Sequence, residues 1–364
     1  MKVGGRHYRS IEHRNGRVEV LDQTRLPHEL RQLELKTLDD AVRAISSLVV
    51  RGAPLIGVTA AYGLALGLRE DASDAGLARA IAALTATRPT ARNLRWALEQ
   101  VAAEVRSLSA GERAAAALHA ADALAEADVA TNAAIGRHGA QVLRDLWQAR
   151  GRPRRLEIAT HCNAGWLGCV DWGTALAAIY AAHDSGLPLH VWVNETRPVN
   201  QGARLTAWEL AAHGVPHTLQ VDAAGGHRLR SGQVHVCIVG TDRVTARGDV
   251  CNKIGTYLLA LAAHDNQVPF YVALPMSTYD GTIENSGEIE IEDRSATEVT
   301  HVWGRDDAGL PVRVQVAPDG TRAANPAFDV TPARLVTALI TERGVCPASE
   351  AGLLSLYPEQ SRAA

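Results

Sequence analysis

The first half of the chain begins with short alternating segments and then becomes helical in pattern. Around Asn15-Gly16, alternation over residues 17–21 predicts a small β-hairpin, because Asn-Gly favours a two-residue turn. From Thr37 to about Gln148, alanine and leucine recur at helical spacing. The predicted helices are 39–50, 52–68, 77–86, 93–108 and 111–147.

The second half alternates between apolar runs and amphipathic segments, after a break at residues 151–155. Predicted strands are 156–160, 189–193, 234–239 and 268–274, and predicted helices are 173–183, 202–213 and 253–264. Short apolar strands between helices indicate a parallel sheet covered on both faces. We therefore expect an α/β protein with two domains. A mainly helical N-terminal domain with a small β-hairpin region (1–150) precedes a Rossmann-like α/β catalytic domain with a mostly parallel sheet (151–364).

Chemically active side chains follow the predicted strands directly. Cys162, Thr196, Asp242 and Ser277 each lie just beyond a strand end. In open α/β sheets, ligands bind beyond the carboxyl ends of the strands. The sequence therefore predicts one shared site there. Neither a GxGxxG motif after the first strand nor a GxxxxGK[ST] motif occurs, so we expect neither a dinucleotide nor a P-loop nucleotide.

The composition limits the classes of partner that the protein is expected to bind. The chain has 364 residues, of which 46% are hydrophobic and 21% charged, enough for a packed core. A net charge of -3 gives no general attraction to nucleic acid or to an anionic membrane, so neither is expected as a partner. The polar start and the lack of a long apolar run predict a cytoplasmic protein.

The chain has five cysteines, and their spacing matches no CxxC pair or zinc motif. Free thiols in a reducing compartment and no bound metal are the expectation. Cys162 follows a strand within a polar, turn-rich loop, which favours a functional thiol over a buried structural one. Cys237 lies within a strand and is expected in the core.

Asp242 ends the strand 234–239, where partial desolvation would raise the pKa of its carboxyl group and suit it to acid–base work. The alternative is a carboxylate that binds the amides of the following loop. His161 is a secondary candidate, because a lone histidine more often has a structural hydrogen-bonding role.

Two segments are predicted to bind an anion such as phosphate. Lys253, one of only three lysines in the chain, follows Asn252 at a predicted helix start, where backbone amides can bind an anion. Arg51 precedes Gly52-Ala53-Pro54, in which proline suits a first helical turn and glycine permits close approach of a ligand. In each case the alternative is an ordinary capped helix with a solvated cation. Arg88 is a weaker candidate, since an isolated arginine is more often a surface charge.

Several long motifs occur in an order that resembles the methylthioribose-1-phosphate isomerase family, within the initiation factor 2B alpha/beta/delta-like superfamily. They are RGAPLIG at 51–57, THCNAG at 160–165, ETRP at 195–198, QGARLTAWEL at 201–210, GDVCNKIGTY at 248–257 and NPAFDVTP at 325–332. The similarity extends from about residue 22 to residue 345.

The resemblance implies an aldose–ketose isomerase that converts 5-methylthioribose 1-phosphate to 5-methylthioribulose 1-phosphate in methionine salvage. It implies a homodimer with no metal and no organic cofactor. It assigns catalysis to Cys162 and Asp242. It assigns substrate binding to Arg51, Gly52, Ala53, Arg88, Gln201, Asn252 and Lys253.

The chain departs from the family pattern at residues 166–172, Asn194, Thr241 and Arg247. These changes leave three other functions open. The substrate could extend to 5-deoxyribose 1-phosphate, or be ribose 1,5-bisphosphate, for which Arg247 would hint at a second phosphate subsite. A regulatory binding protein of the same fold is the alternative outside enzymes, and the presence of both Cys162 and Asp242 argues against it.

Overall fold

The structure is a computed structural model, and it describes residues 1–361. Five short strands come first: β1 (Lys2–Val3), β2 (Arg6–His7), β3 (Ile11–Arg14), β4 (Arg17–Leu21) and β5 (Gln32–Leu35). The strands β3 and β4 form the predicted hairpin, with Asn15 and Gly16 both at positive φ in the turn. The strand β5 pairs with β4 and completes a three-stranded sheet. The sequence did not predict it, because residues 32–35 are too few for a clear alternation.

All five predicted helices of the first half are present, with ends shifted by a few residues. They are α1 (Leu38–Ser46), α2 (Ala53–Glu70), α3 (Asp74–Thr87), α4 (Arg92–Val105) and α5 (Ala110–Ala149). Two of these helices begin where a polar residue caps them: the side chain of Thr37 caps α1, and that of Ser73 caps α3. Neither residue belongs to the apolar pattern.

The helix α2 lies at the centre of this helical part. Its residues 55–68 are buried, because α1, α3, α4 and α5 all pack around it. Small residues allow this close approach: Gly63 faces Ala41 and Gly67 faces Ala80. The helix α2 is thus enclosed by its four neighbours over residues 55–68.

The second half contains the expected alternation and several additional short strands. In order, the elements are β6 (Leu156–Thr160), α6 (Ala175–Asp184), β7 (Leu189–Asn194), α7 (Ala207–His213), β8 (His217–Gln220), α8 (Ala224–Arg230), β9 (Val236–Val239), β10 (Arg243–Thr245), β11 (Val250–Lys253), α9 (Thr256–Asp265), β12 (Phe270–Ala273), β13 (Tyr279–Asp280), α10 (Thr297–Thr300), β14 (His301–Arg305), β15 (Pro311–Gln315), β16 (Phe328–Thr331), β17 (Ala338–Thr341), β18 (Gly344–Cys346) and α11 (Glu350–Leu356). A π-helical turn, Gly202–Thr206, leads into α7.

The main sheet has the strand order β18-β17-β12-β9-β6-β7-β8. Its neighbouring strands are parallel except for β17 and β18. The predicted mostly parallel α/β sheet is therefore confirmed, and the ends of β6, β7, β9 and β12 share one edge.

A second sheet, β13-β10-β11-β16, corrects one prediction. Residues 250–253 form the strand β11, and the following helix α9 begins at Thr256 instead of Lys253. Pairing of Lys253 with Phe328 on β16 decides the conformation of this segment. Tertiary pairing thus overrides the helical pattern, and Lys253 projects from a strand end.

The boundary at residue 150 stays a prediction. Residues of α1–α4 and the first half of α5 share one apolar cluster. However, Ile135, Ala140 and Leu143 of α5 pack instead with the main sheet and α6. Within residues 1–361, no helix is long and apolar enough to cross a membrane.

We predict that Gly139→Ala destabilises the protein. Its new methyl group would collide with Ala178 where α5 crosses α6, and overpacking of this kind typically costs about 1–3 kcal/mol. Gly111→Ala, in the exposed first turn of the same helix, meets no atom within 4 Å and should leave stability equal or higher. Thermal unfolding followed by circular dichroism measures both. Equal midpoints for the two variants would contradict the packing account.

Candidate active site

A cleft of about 670 Å³ opens at the carboxyl edge of the main sheet, and a cavity of about 40 Å³ adjoins it. Together they are lined by all nine residues to which the sequence assigns a role. The cleft is lined by Arg51, Gly52, Arg88, Cys162, Gln201, Asp242 and Lys253. The smaller cavity shares four of these residues and adds Ala53 and Asn252.

Cys162 lies just beyond β6 in a left-handed conformation, with a φ of 65°. For a residue with a side chain, this conformation costs about 1–2 kcal/mol. Two hydroxyl groups hold it: the Cys162 amide donates to Thr196 Oγ1 at 2.9 Å, and Thr206 Oγ1 donates to the Cys162 carbonyl at 2.7 Å. The strained backbone thereby turns the thiol toward the cleft that it lines.

Burial raises the pKa of the Cys162 thiol, while the positive charges of Arg51 and Lys253 act in the opposite direction. Asp242 follows β9, and its amide donates to the carbonyl of Cys251 at 2.9 Å. Burial also raises the pKa of the Asp242 carboxyl group, against the attraction of Lys253 and Arg51. Burial therefore shifts both the thiol and the carboxyl group toward their neutral forms, and the nearby cations oppose these shifts.

Lys253 ends β11 with its ammonium group 4.4 Å from the centre of the Phe328 ring. The residue is 9% exposed, and burial lowers the pKa of its ammonium group, while Cys162 and Asp242 raise it. Its neighbour Asn252 donates from Nδ2 to Thr256 Oγ1 at 3.0 Å. Lys253 lines the main cleft and Asn252 the smaller cavity, and Cys162 and Asp242 line both.

The prediction that the start of the helix after Lys253, α9, binds an anion is wrong. The amides of Gly255 and Tyr257 donate to the Asp329 carboxylate at 2.7 and 3.1 Å. A carboxylate of the protein thus already occupies the amide groups of this helix end. Lys253 and Asn252 remain at the site through their side chains.

Arg51 and Gly52 precede α2, and the chain turns at Gly52, which has a φ of 96°. A side chain at Gly52 would collide with the backbone of Gly168, so the two glycines allow close contact between α2 and the loop after β6. Arg51 reaches this loop too: its Nη1 donates to Asn163 Oδ1 and its Nη2 to the Asn163 carbonyl at 2.9 Å.

Arg88, at the end of α3, donates to Glu292 Oε2 at 3.0 Å, and its Nε is buried without a partner among residues 1–361. Gln201 is also buried, and its Oε1 has no partner within the same residues. Both side chains line the cleft. Unpaired buried polar atoms are costly, so binding that turns either atom toward a polar ligand would be favourable.

Sequence reasoning missed Glu292, Arg294 and Glu298, which link to Arg88. Arg294 bonds Glu292 at 3.0 Å and Glu298 at 2.6 Å, and both Arg294 and Glu298 line the cleft. Residues 285–300 carry no long apolar period, so nothing in the sequence alone pointed to them.

Two other candidates have positions outside the main cleft. His161 bonds the carbonyl of Ile254 at 2.8 Å through Nε2 and the side-chain Nδ2 of Asn194 at 3.3 Å through Nδ1, which supports the structural role. Arg247 has a 62% exposed side chain facing Glu284, and the cleft is lined without it. It therefore gives no support to a second phosphate subsite.

The chain matches the model of the initiation factor 2 subunit family over residues 49–348. The chain belongs to this family. It is 61% identical to a methylthioribose-1-phosphate isomerase of Methylorubrum populi over 367 aligned positions, covering 100% of both chains. This family match agrees with the resemblance carried by the motifs.

Two solved structures show the same fold. A 5-methylthioribose 1-phosphate isomerase from Pyrococcus horikoshii superimposes with a TM-score of 0.83 and 36% identity, covering 97% of each chain. A translation initiation factor eIF-2B delta subunit from A. fulgidus gives 0.79 and 37%, covering 97% of this chain and 100% of that one. The predicted fold is confirmed, and relatives of this fold carry both enzyme and initiation-factor names.

We predict that Lys253→Met slows alkylation of Cys162 by iodoacetamide about tenfold at pH 8. Loss of the cation removes an attraction for the thiolate, raises the pKa of the thiol and so lowers the thiolate fraction. Asp242→Asn should speed the reaction, because the carboxylate has the opposite effect. The rate is followed by mass spectrometry, with Cys162→Ser as the blank.

Arg247→Met is the matched control, since it removes an exposed cation that does not line the cleft. Its alkylation rate should equal that of the wild type. An unchanged rate in Lys253→Met would mean that Lys253 does not act electrostatically on Cys162.

Proposed function

We propose that this protein is an isomerase that converts 5-methylthioribose 1-phosphate to 5-methylthioribulose 1-phosphate. The observation that carries the proposal is that Cys162 and Asp242 line one cleft together with cations suited to a phosphate. The names of the relatives support the substrate, and the matched motifs support the residue roles.

The first chemical step requires an acid. A sugar with phosphate on its anomeric oxygen cannot open to a free aldehyde, so ring opening requires a proton on the ring oxygen. Asp242 is assigned this role, because burial raises the pKa of its carboxyl group and favours the protonated form. After transfer, the Asp242 carboxylate is stabilised by the nearby cations Lys253 and Arg51.

Hydrogen then moves from C2 to C1 by one of two routes. In the first, the thiolate form of Cys162 takes the proton from C2, C1 of the resulting enol is reprotonated, and the C2 hydroxyl gives up its proton to a base. In the second, hydride moves directly from C2 to C1, and the C2 hydroxyl of the resulting cation gives up its proton to a base. Cys162 and Asp242 line the cleft where either route would take place.

Phosphate binding is assigned to the first turn of α2 and the side chains around it. No side chain caps this helix within the described residues, so the positive end of α2 and its amide groups remain available to an anion. Arg51, Arg88 and Lys253 supply positive charge from three separate elements. Asn252 and Gln201 are assigned to the sugar hydroxyl groups.

The resemblance also implies a two-domain homodimer, which we include in the proposal. A domain boundary near residue 150, where the sequence pattern breaks, and action in the cytoplasm are included as well.

Cys162→Ser and Asp242→Asn should each lower kcat/KM by at least about a hundredfold, because each removes a group that transfers or directs a proton. Steady-state assays with 5-methylthioribose 1-phosphate measure the effect. Cys346→Ala, which changes a cysteine distant in the fold at β18, is the control and should turn over normally. Circular dichroism must show native spectra for all three, and near-normal turnover in either site variant would contradict the assignment.

The substrate is tested by assaying the purified protein with 5-methylthioribose 1-phosphate, 5-deoxyribose 1-phosphate and ribose 1,5-bisphosphate in parallel. We expect the highest kcat/KM with the first and measurable turnover of the second, because they differ only in the 5-substituent. Preference for the bisphosphate would replace the proposed substrate. Absence of product from all three would favour a regulatory binding protein.

A further inference from the structure

Glu209 is a fully buried carboxylate next to the site, and the proposed chemistry does not use it. It lies on α7, and four donors surround it. Oε1 accepts from Asn163 Nδ2 at 2.9 Å and from the Leu167 amide at 3.1 Å. Oε2 accepts from the Trp166 amide at 2.9 Å and from the Tyr180 hydroxyl at 2.8 Å. Such a complete shell compensates for much of the cost of burying the charge.

The side chain of Asn163 connects Glu209 to Arg51. Its Nδ2 faces the carboxylate, and its Oδ1 and main-chain carbonyl accept from the guanidinium. A guanidinium can only donate and a carboxylate only accepts, so these neighbours allow the amide a single orientation. The negative charge behind Asn163 also polarises the amide and strengthens its bond to Arg51.

Glu209 also holds the main chain beneath Arg51. Its bonds to the amides of Trp166 and Leu167 fix the start of the loop that continues to Gly168, against which Gly52 packs. A side chain at Gly165 would collide with the Glu209 carboxylate, so the loop follows it closely. The Glu209 carboxylate therefore holds the backbone next to Arg51 directly, and it holds the Arg51 guanidinium through Asn163.

We propose that Glu209 is a positioning residue that orients Arg51 for phosphate through the side chain of Asn163. The guanidinium uses two of its five N–H donors on Asn163, which leaves the others for an anion in the cleft. This inference rests on the proposed function in taking Arg51 as a phosphate ligand. It adds a residue that never touches the substrate.

A double-mutant cycle on the binding of inorganic phosphate tests the link without any requirement for turnover. Glu209→Gln should weaken phosphate binding about tenfold in the wild-type protein, measured by isothermal titration calorimetry, because an amide cannot accept all four donors. In an Arg51→Met background, the same change should weaken binding less than twofold. A purely structural defect would produce the same factor in both backgrounds, and that result would overturn the proposal.

The matched control is Asp128→Asn. Asp128 is a partly buried acidic residue whose Oδ2 accepts from the Val170 amide at 2.7 Å, so it holds the far end of the same loop and does not bond Asn163. It should lower the thermal midpoint and leave phosphate affinity unchanged. Equal losses of affinity in Asp128→Asn and Glu209→Gln would show that any damage to the loop suffices, and would refute a specific link through Asn163.

If Glu209→Gln does not fold, Asn163→Ala tests the same link, because it removes the side-chain amide from between Glu209 and Arg51. Its loss of phosphate affinity should also disappear in the Arg51→Met background. Persistence of the full loss there would contradict the proposal. A positive cycle in a protein that isomerises none of the three sugars would retain the inference and reject the proposed function.

Discussion

The close contact between Gly52 and Gly168 is the constraint on which the site depends. Neither residue has a side chain, so the start of α2 can lie directly on the loop that follows β6. This contact brings a helical element, with Arg51 at its start, to the edge of a parallel sheet whose strand ends carry Cys162 and Asp242. Without it, the cations of the first half and the acid–base groups of the second half would not line the same cleft.

The electrostatic properties of the cleft arise because acidic and basic side chains are buried next to one another. Burial by itself raises the pKa values of Cys162 and Asp242 and lowers the pKa of Lys253. Attraction between Lys253 and the two acidic groups opposes all three shifts, whereas the Asp242 carboxylate adds to the shift of Cys162 by repelling its thiolate. A substrate phosphate would shift this balance by drawing Lys253 and Arg51 toward itself, which would favour the protonated acid needed for ring opening.

The sequence predicted the main elements well, because long apolar periods and strand-ending polar loops are strong local signals. The parallel sheet and the position of Cys162 and Asp242 at its edge could be foreseen in this way, whereas the roles of Ala53, Gln201 and Asn252 came only from the resemblance to a known family. The sequence could not predict β10, β11 and β16, since these strands have three or four residues and exist only through pairing with other segments. For the same reason Lys253 was placed in a helix, and the partners of Arg88, which lie about 200 positions later, were missed.

The two helix starts at the site show why phosphate binding is better assigned to α2 than to α9. Both begin after a glycine at positive φ, and both look alike in sequence as anion sites. The start of α9, however, already bonds Asp329, and burial raises the pKa of that carboxyl group to about 6, so it is mostly ionised at neutral pH. A phosphate there would face a carboxylate at close range. The start of α2 has no side-chain cap within residues 1–361 and has an arginine directly before it, so an anion there would meet a helix N-terminus and a cation at close range.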